Sequence, residues 1–270
     1  MQYVKPQARL IAKPQVDWDE IRAFLNLAGG LDWFDRVAPD GEPQVPDAEG
    51  LAEFAGRACY KSWAPGLNKN VTRVRQDSTE YLQNVVSVMH GSVFEHLNFT
   101  FVFSDVSRIF THELVRHKAG TAVSQESLRF VRLDELRVWF PDWAQADPEL
   151  MERCLALIAQ MEEHQRWMAD RFGLDDEGVP FSFKKKKTSF MRRFAPEGLG
   201  TVIVWTANIR AMRHVIEMRT DEHAEEEIRL VFHDVAMKMR DQVPALFADY
   251  TLRDVEGSTT PMWVPGTRKV

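Results

Sequence analysis

Hydrophobic and polar positions along this chain change period several times, and each change marks an element. Leu97, Phe99, Phe101 and Phe103 alternate with Asn98, Thr100 and Val102. A period of two predicts a strand with one core face and one face open to a ligand or partner. Residues 201–207 form a near-continuous apolar run, the pattern of a buried strand. Asn208 follows as a natural N-cap, and Ile209, Met212, Val215 and Ile216 then recur at helical spacing to about Met218. The same spacing predicts helices over 17–27, 48–59, 76–89, 105–117 and 147–172. A last helix is expected to start at Arg219 and stop before Pro244. Within 147–172, the stripe Leu150, Cys154, Leu157, Ile158 and Met161, with Trp167 and Met168 beyond, reads as core. A further strand over 138–140 ends at Pro141. Residues 1–46 are broken by Pro6, Pro14, Pro39, Pro43 and Pro46 and read as an extension with one short helix. The tail from about Asp254 reads as surface.

Between the 105–117 helix and Arg129 the apolar pattern gives way to chemistry. Glu113, Arg116 and His117 stand at i, i+3 and i+4, so an acid, a fixed cation and a titratable ring share one face. Gly120, Thr121, Ser124, Gln125 and Ser127 then supply small donors and acceptors, and Arg129 closes the stretch. A helix ending in Arg-His-Lys that runs into hydroxyls and amides fits an anion site, most simply for phosphate. It fits equally a solvated helix end, where cations favour the dipole.

Composition narrows the class. The chain has 270 residues, 44% hydrophobic and 27% charged, as in an ordinary globular protein with room for a sizeable core. No apolar run reaches the length of a membrane span, and the N-terminus lacks a basic-then-apolar signal, so a cytoplasmic protein is expected. Cys59 and Cys154, 95 positions apart, fit neither a zinc site nor a disulfide scaffold and read as buried small hydrophobes; no metal is expected. A net charge of −6 argues against a generic nucleic-acid binder, while clustered Lys and Arg suit small anionic ligands.

Three ordered blocks carry a family resemblance. Arg116-His117-Lys118, then Ser127 and Arg129, resembles the signature of the flavin-dependent thymidylate synthases, with Lys for a third-position Arg and a gap one residue longer. Glu95-His96 before the aromatic strand is the second block. The third runs from Trp205-Thr206-Ala207-Asn208-Ile209-Arg210 to Arg219-Thr220-Asp221-Glu222-His223. The resemblance spans about 57–250 of a single 1–270 domain and implies an α+β fold, a central mainly antiparallel sheet flanked by long helices.

What the resemblance implies is reductive methylation of dUMP to dTMP, with methylenetetrahydrofolate as carbon donor and FAD, reduced by NADPH, as hydride source. Arg219 matches the family's activating arginine, a fixed guanidinium for negative charge developing on the pyrimidine. For dUMP the match points to Glu113, Arg116, Gln125, Ser127, Arg129, Arg192 and Arg219, with Glu113 in a position usually held by Gln. A carboxylate there calls for a cationic partner, and the spacing offers Arg116. For FAD it points to His96, Arg116, His117, Lys118, Asn208, Arg210, His214 and His223, with His214 replacing a common amide. The family assembles as a homotetramer with active sites at subunit interfaces. Two competing readings are an NADPH:flavin oxidoreductase of the same fold without methylation, and a non-enzymatic nucleotide- or RNA-binding module that uses Lys184 to Lys187.

Overall fold

The structure is a computed structural model that describes residues 2–268. The chain opens with β1 (Gln2–Tyr3) and β2 (Gln7–Ala12), followed by α1 (Trp18–Ala28) and α2 (Leu31–Val37). Next come α3 (Asp47–Tyr60) and α4 (Ser78–Ser87), and a 3-10 turn over Gly91–His96 leads into β3 (Asn98–Ser107). α5 (Arg108–Leu114), β4 (Thr121–Gln125), β5 (Arg137–Val138) and α6 (Asp142–Gln145) lie between β3 and the long α7 (Pro148–Arg171). α8 (Phe181–Met191) precedes β6 (Gly200–Asn208), α9 (Ile209–Arg219), α10 (Glu226–Gln242) and α11 (Pro244–Phe247). β7 (Tyr250–Arg253) and β8 (Met262–Pro265) form the last hairpin.

The main sheet has the order β2-β3-β6-β4, antiparallel throughout. The two runs that pattern alone marked as strands are its centre, paired from Asn98↔Asn208 to Ser107↔Gly200. Phe99, Phe101 and Phe103 point inward, as the alternation requires; Phe101 stacks on Phe103, and Phe103 meets Trp205, Phe110 and Phe232. Burying each such ring stabilises the fold by roughly 2–3 kcal/mol. α9 and α10 cover this face with Met212, Val215, Ile216, Val231 and Val235. Fold class therefore follows the expectation, α+β with an antiparallel sheet under helices.

Several local expectations are corrected. The 105–117 helix starts later: β3 runs through a bulge, with Asp105 at φ 60°, and α5 begins only after Ser107, whose side chain caps Phe110 N–H. The last helix begins at Glu226, capped by Glu225, rather than at Arg219, because α9 continues through Arg219 and 220–225 form a turn. On α7 the inward residues are Ile158, Glu162, Gln165, Met168 and Ala169, while Leu150, Leu157 and Trp167 are exposed. Cys59 is exposed and Cys154 half-buried, so neither is a core hydrophobe. Residues 1–46 hold more than one helix, supplying edge strand β2 and a second helix. The tail is not wholly surface: Met262 and Trp263 of β8 are buried.

Candidate active site

Three strand ends meet where β6 gives way to α9. Asn208 N–H donates to Gly120 O at 3.0 Å, and Ile209 N–H donates to Leu97 O at 3.0 Å. The Asn208 side chain accepts Ala211 N–H at 2.8 Å, the cap its sequence position predicted. Gly120 makes this approach possible. It sits at φ +68°, and a Cβ there would lie 2.5 Å from Asn208 Nδ2.

This junction walls a cavity of about 590 Å³, within the size range of cofactor sites (roughly 300–1,000 Å³). Arg116, His117 and Lys118 enter from the turn after α5, Asn208 from the end of β6, and Arg210 and His214 from α9, so six residues singled out from the sequence line one space. Arg210 pairs with Glu95 at 2.6 Å on the rim, a partner the sequence reading did not assign. Arg116, Lys118 and Arg210 against one carboxylate leave a net positive wall that suits a phosphate-bearing ligand. Ala211 and Val215, with the edge-on rings of His117 and His214 (6.1 Å), add a less polar side suited to a ring system. The lining thus fits a phosphate-linked aromatic cofactor.

Arg219, in the last turn of α9, is not on the lining and meets the cavity through His117, which is. Its Nε–H donates to His117 Nε2 at 2.8 Å, Nη1 pairs with Glu113 Oε2 at 2.6 Å, and Nη2 donates to Glu113 O at 2.9 Å. A guanidinium carries five N–H donors, so these bonds leave two free. Burial, and then the Arg219 charge, push the His117 pKa down to about 4. The ring is neutral at pH 7, with Nε2 as acceptor and the proton on Nδ1. Glu113 pairs with Arg219 rather than Arg116, because α5 ends at Leu114 and a turn redirects Arg116 towards the cavity.

The family described as thymidylate synthase complementing protein matches residues 43–245. The chain is 35% identical over 237 residues to the flavin-dependent thymidylate synthase of Mycobacterium avium, covering 84% of this chain and 92% of that protein. It is 36% identical over 239 residues to the Mycobacterium tuberculosis enzyme of the same name, with the same coverage. The chain belongs to the flavin-dependent thymidylate synthase family. Solved structures share the fold. The UMP/dUMP methylase PolB from Streptomyces cacaoi, bound with 5-Br UMP, aligns with a TM-score of 0.58 at 15% identity, covering 91% of this chain and 94% of that one. Thymidylate synthase X from Helicobacter pylori, solved with FAD and dUMP, aligns at 0.54 and 18%, covering 74% and 93%.

Not every residue matched to the family's pattern gathers at this cavity. His96 and His223 are exposed and lie off its lining. Gln125 leaves the loop expected around it, since 121–125 form edge strand β4, and donates to Thr111 Oγ1 at 2.9 Å. Ser127 and Arg129 follow β4. Arg129 lines a separate cationic recess with Lys184 and Lys185, and its carbonyl accepts Thr188 Oγ–H at 2.7 Å. Arg192 ends α8 near Arg108. Arg108 was missed from sequence: burial and then the Arg192 charge lower its pKa, which places two cations near one another. Its only sequence signal was the Ser107 cap just before it. Among the described residues, no helix is long and apolar enough to cross a membrane.

Proposed function

We propose that this protein methylates dUMP to dTMP, taking the one-carbon unit from methylenetetrahydrofolate and a hydride from FAD reduced by NADPH. The observation that carries the reading is Arg219, held by His117 and Glu113 beside the cavity with two N–H donors free. The reaction adds an electron-poor methylene carbon to a pyrimidine carbon that is a weak nucleophile. Negative charge then grows on the ring oxygens, and a preorganised guanidinium stabilises it. Neutral His117 orients Arg219 without competing with it for the anion. Glu113 keeps the guanidinium in place through its carboxylate and its carbonyl. No thiol nucleophile is called on, in line with the exposed Cys59 and half-buried Cys154, neither of which lines this cavity.

When bound, FAD supplies the hydride that reduces the transferred methylene to methyl. Arg116, Lys118 and Arg210 would hold its phosphates, and Asn208, His117 and His214 would meet its ring or ribose groups. Ser127, Arg129 and Arg192 lie off this cavity, which supports a site completed by a neighbouring subunit of a homotetramer, with those residues on the dUMP phosphate. Exposed Trp167, Phe181, Phe190 and Phe194 on α7, α8 and the turn after α8 offer an apolar surface for such contacts.

The test is a flavin titration. A purified protein whose FAD bleaches with NADPH, and reoxidises with dTMP formed when dUMP and methylenetetrahydrofolate are added, fulfils the proposal. FAD that cycles with oxygen alone, with no dTMP, overturns it.

A further inference from the structure

Between α7, the end of α8 and the segment after Arg129 lies a void of about 10 Å³, the size of one water molecule (roughly 10–15 Å³). Arg132, Gln165, Thr188, Met191 and Arg192 are on its walls. Gln165 is fully buried on α7, and Arg132 belongs to the irregular stretch that follows Arg129. Two atoms of these side chains are shut off from solvent and have no hydrogen-bond partner among the described residues, Nε of Arg132 and Oε1 of Gln165. A donor and an acceptor left unpaired in the interior each carry the desolvation cost of a polar group. Both belong to the walls of one void.

The rest of each side chain is already committed. Arg132 forks onto one carboxylate, with Nη1 at 2.9 Å from Asp175 Oδ1 and Nη2 at 3.3 Å from Asp175 Oδ2, which holds the guanidinium plane. Gln165 donates from Nε2 to Met191 O at 3.1 Å. A carbonyl accepts only a donor, so the amide is turned with its oxygen as the free end. Met191 is the last residue of α8, where helix carbonyls lack partners within the helix.

These bonds decide what the void can hold. Its occupant must accept an N–H from a guanidinium and donate to an amide oxygen. The Arg132 charge repels a cation, the Gln165 oxygen disfavours an anion, and the volume admits nothing larger than water. A single water meets both orphan atoms at once.

The same bonds converge on two cations. Met191, held by Gln165, immediately precedes Arg192. Thr188 Oγ–H, one turn earlier on α8, donates to Arg129 O at 2.7 Å, and Arg132 lies three residues after Arg129. Gln165 therefore stands behind both, linked directly to the end of α8 and through the void to the segment of Arg129.

We infer that a buried water joins Arg132 Nε to Gln165 Oε1, and that Gln165 is a positioning residue that holds Arg129 and Arg192 at the spacing one phosphate group requires. The inference rests on the proposed function for that phosphate, which is the one on dUMP. Gln165 touches no substrate and acts through the Met191 carbonyl and the water.

The experiment combines urea unfolding and calorimetric titration with dUMP on the full-length protein loaded with FAD. Gln165→Met keeps the length of the side chain and removes both polar ends. Arg132→Lys keeps a charge for Asp175 and has no N–H at the Nε position. Each should raise the unfolding constant about fivefold, as for the loss of one hydrogen bond. The double variant should fall at least about threefold short of the product of the two, because both singles break the same bridge. Gln165→Met should also weaken dUMP binding and raise its KM about fivefold, with kcat and the flavin absorbance unchanged. Arg192→Gln reports on the phosphate contact itself and should weaken dUMP binding about tenfold. Additive unfolding losses overturn the bridge. Coupled losses with dUMP affinity unchanged in Gln165→Met overturn the positioning role, as does a fall in kcat without a rise in KM. A dUMP affinity that Arg192→Gln leaves intact sinks the phosphate contact of the proposed function, and the bridge is then judged by the unfolding cycle alone.

Discussion

The Nε–H of Arg219 meets Nε2 of His117 at 2.8 Å, across 102 residues of sequence. Arginine has only donors, so this contact fixes both the tautomer and the charge of the imidazole. A protonated ring would put two cations face to face.

Stability should therefore follow the protonation of His117. Its folded pKa, about 4, lies below the ordinary 6.5, so the unfolded chain binds more protons between those values. The contribution is fully present above pH 6.5 and is lost as pH falls towards 4. Glu227 acts in the opposite sense. Burial raises its pKa to about 7 from 4.5, so its neutral form stabilises the fold and that stabilisation fades as pH rises through 4.5 to 7. Thermal midpoints measured from pH 4 to 8 should rise less with pH in His117→Gln than in the wild type, and more in Glu227→Gln. Parallel curves for all three proteins would refute both assignments.

Arg219→Ala should lower kcat for dTMP formation by about 10²–10³, the usual loss when a preorganised donor to a developing anion is removed. The flavin absorbance of the purified protein should remain, because the role proposed for Arg219 is on the pyrimidine and Arg219 does not line the cavity. A variant that keeps full activity would be incompatible with the proposed role.

Gly120→Ala should destabilise the protein by about 2 kcal/mol, from positive φ and a clash with Asn208. FAD affinity should fall with it, since Asn208 caps α9 beside the cavity. Gly198→Ala is the control: nothing lies within 4 Å of its Cβ, and its denaturation midpoint should stay close to wild type.

Asp249→Ala should cost about 3–5 kcal/mol, the penalty for leaving a buried cation unpaired. Arg213, with 1% of its side chain exposed, makes two 2.9 Å bonds to that carboxylate and in doing so ties α9 to the last hairpin. Urea denaturation with an unchanged transition slope is the measurement, and a loss below 1 kcal/mol would contradict it.

Much of this was legible in the chain itself, for reasons that differ by residue. The Phe99–Phe101–Phe103 alternation and the Asn208 cap are local signals, and both elements formed as their patterns predict. Val106 deceived because a bulge at Asp105 lets one apolar residue satisfy a strand face while keeping helical spacing to Ile109 and Phe110. β4 had no hydrophobic signature, since its order comes from backbone pairing with β6. The Glu113–Arg219 pair and the bonds from Arg57 to Ser62 O and Arg75 O join segments through tertiary packing or backbone carbonyls, which side-chain spacing does not encode.

β4 bonds to a strand on one side only, since it ends the order β2-β3-β6-β4. A length change in an interior strand would disturb two neighbours, whereas one between Lys118 and Thr121 falls in a turn that leads to a border. The extra residue in the signature segment can thus be taken up without moving the Phe-rich centre of the sheet. Evolution is left with a place to lengthen, shorten or re-register the turn between Lys118 and Thr121 while the aromatic heart of the protein keeps its shape.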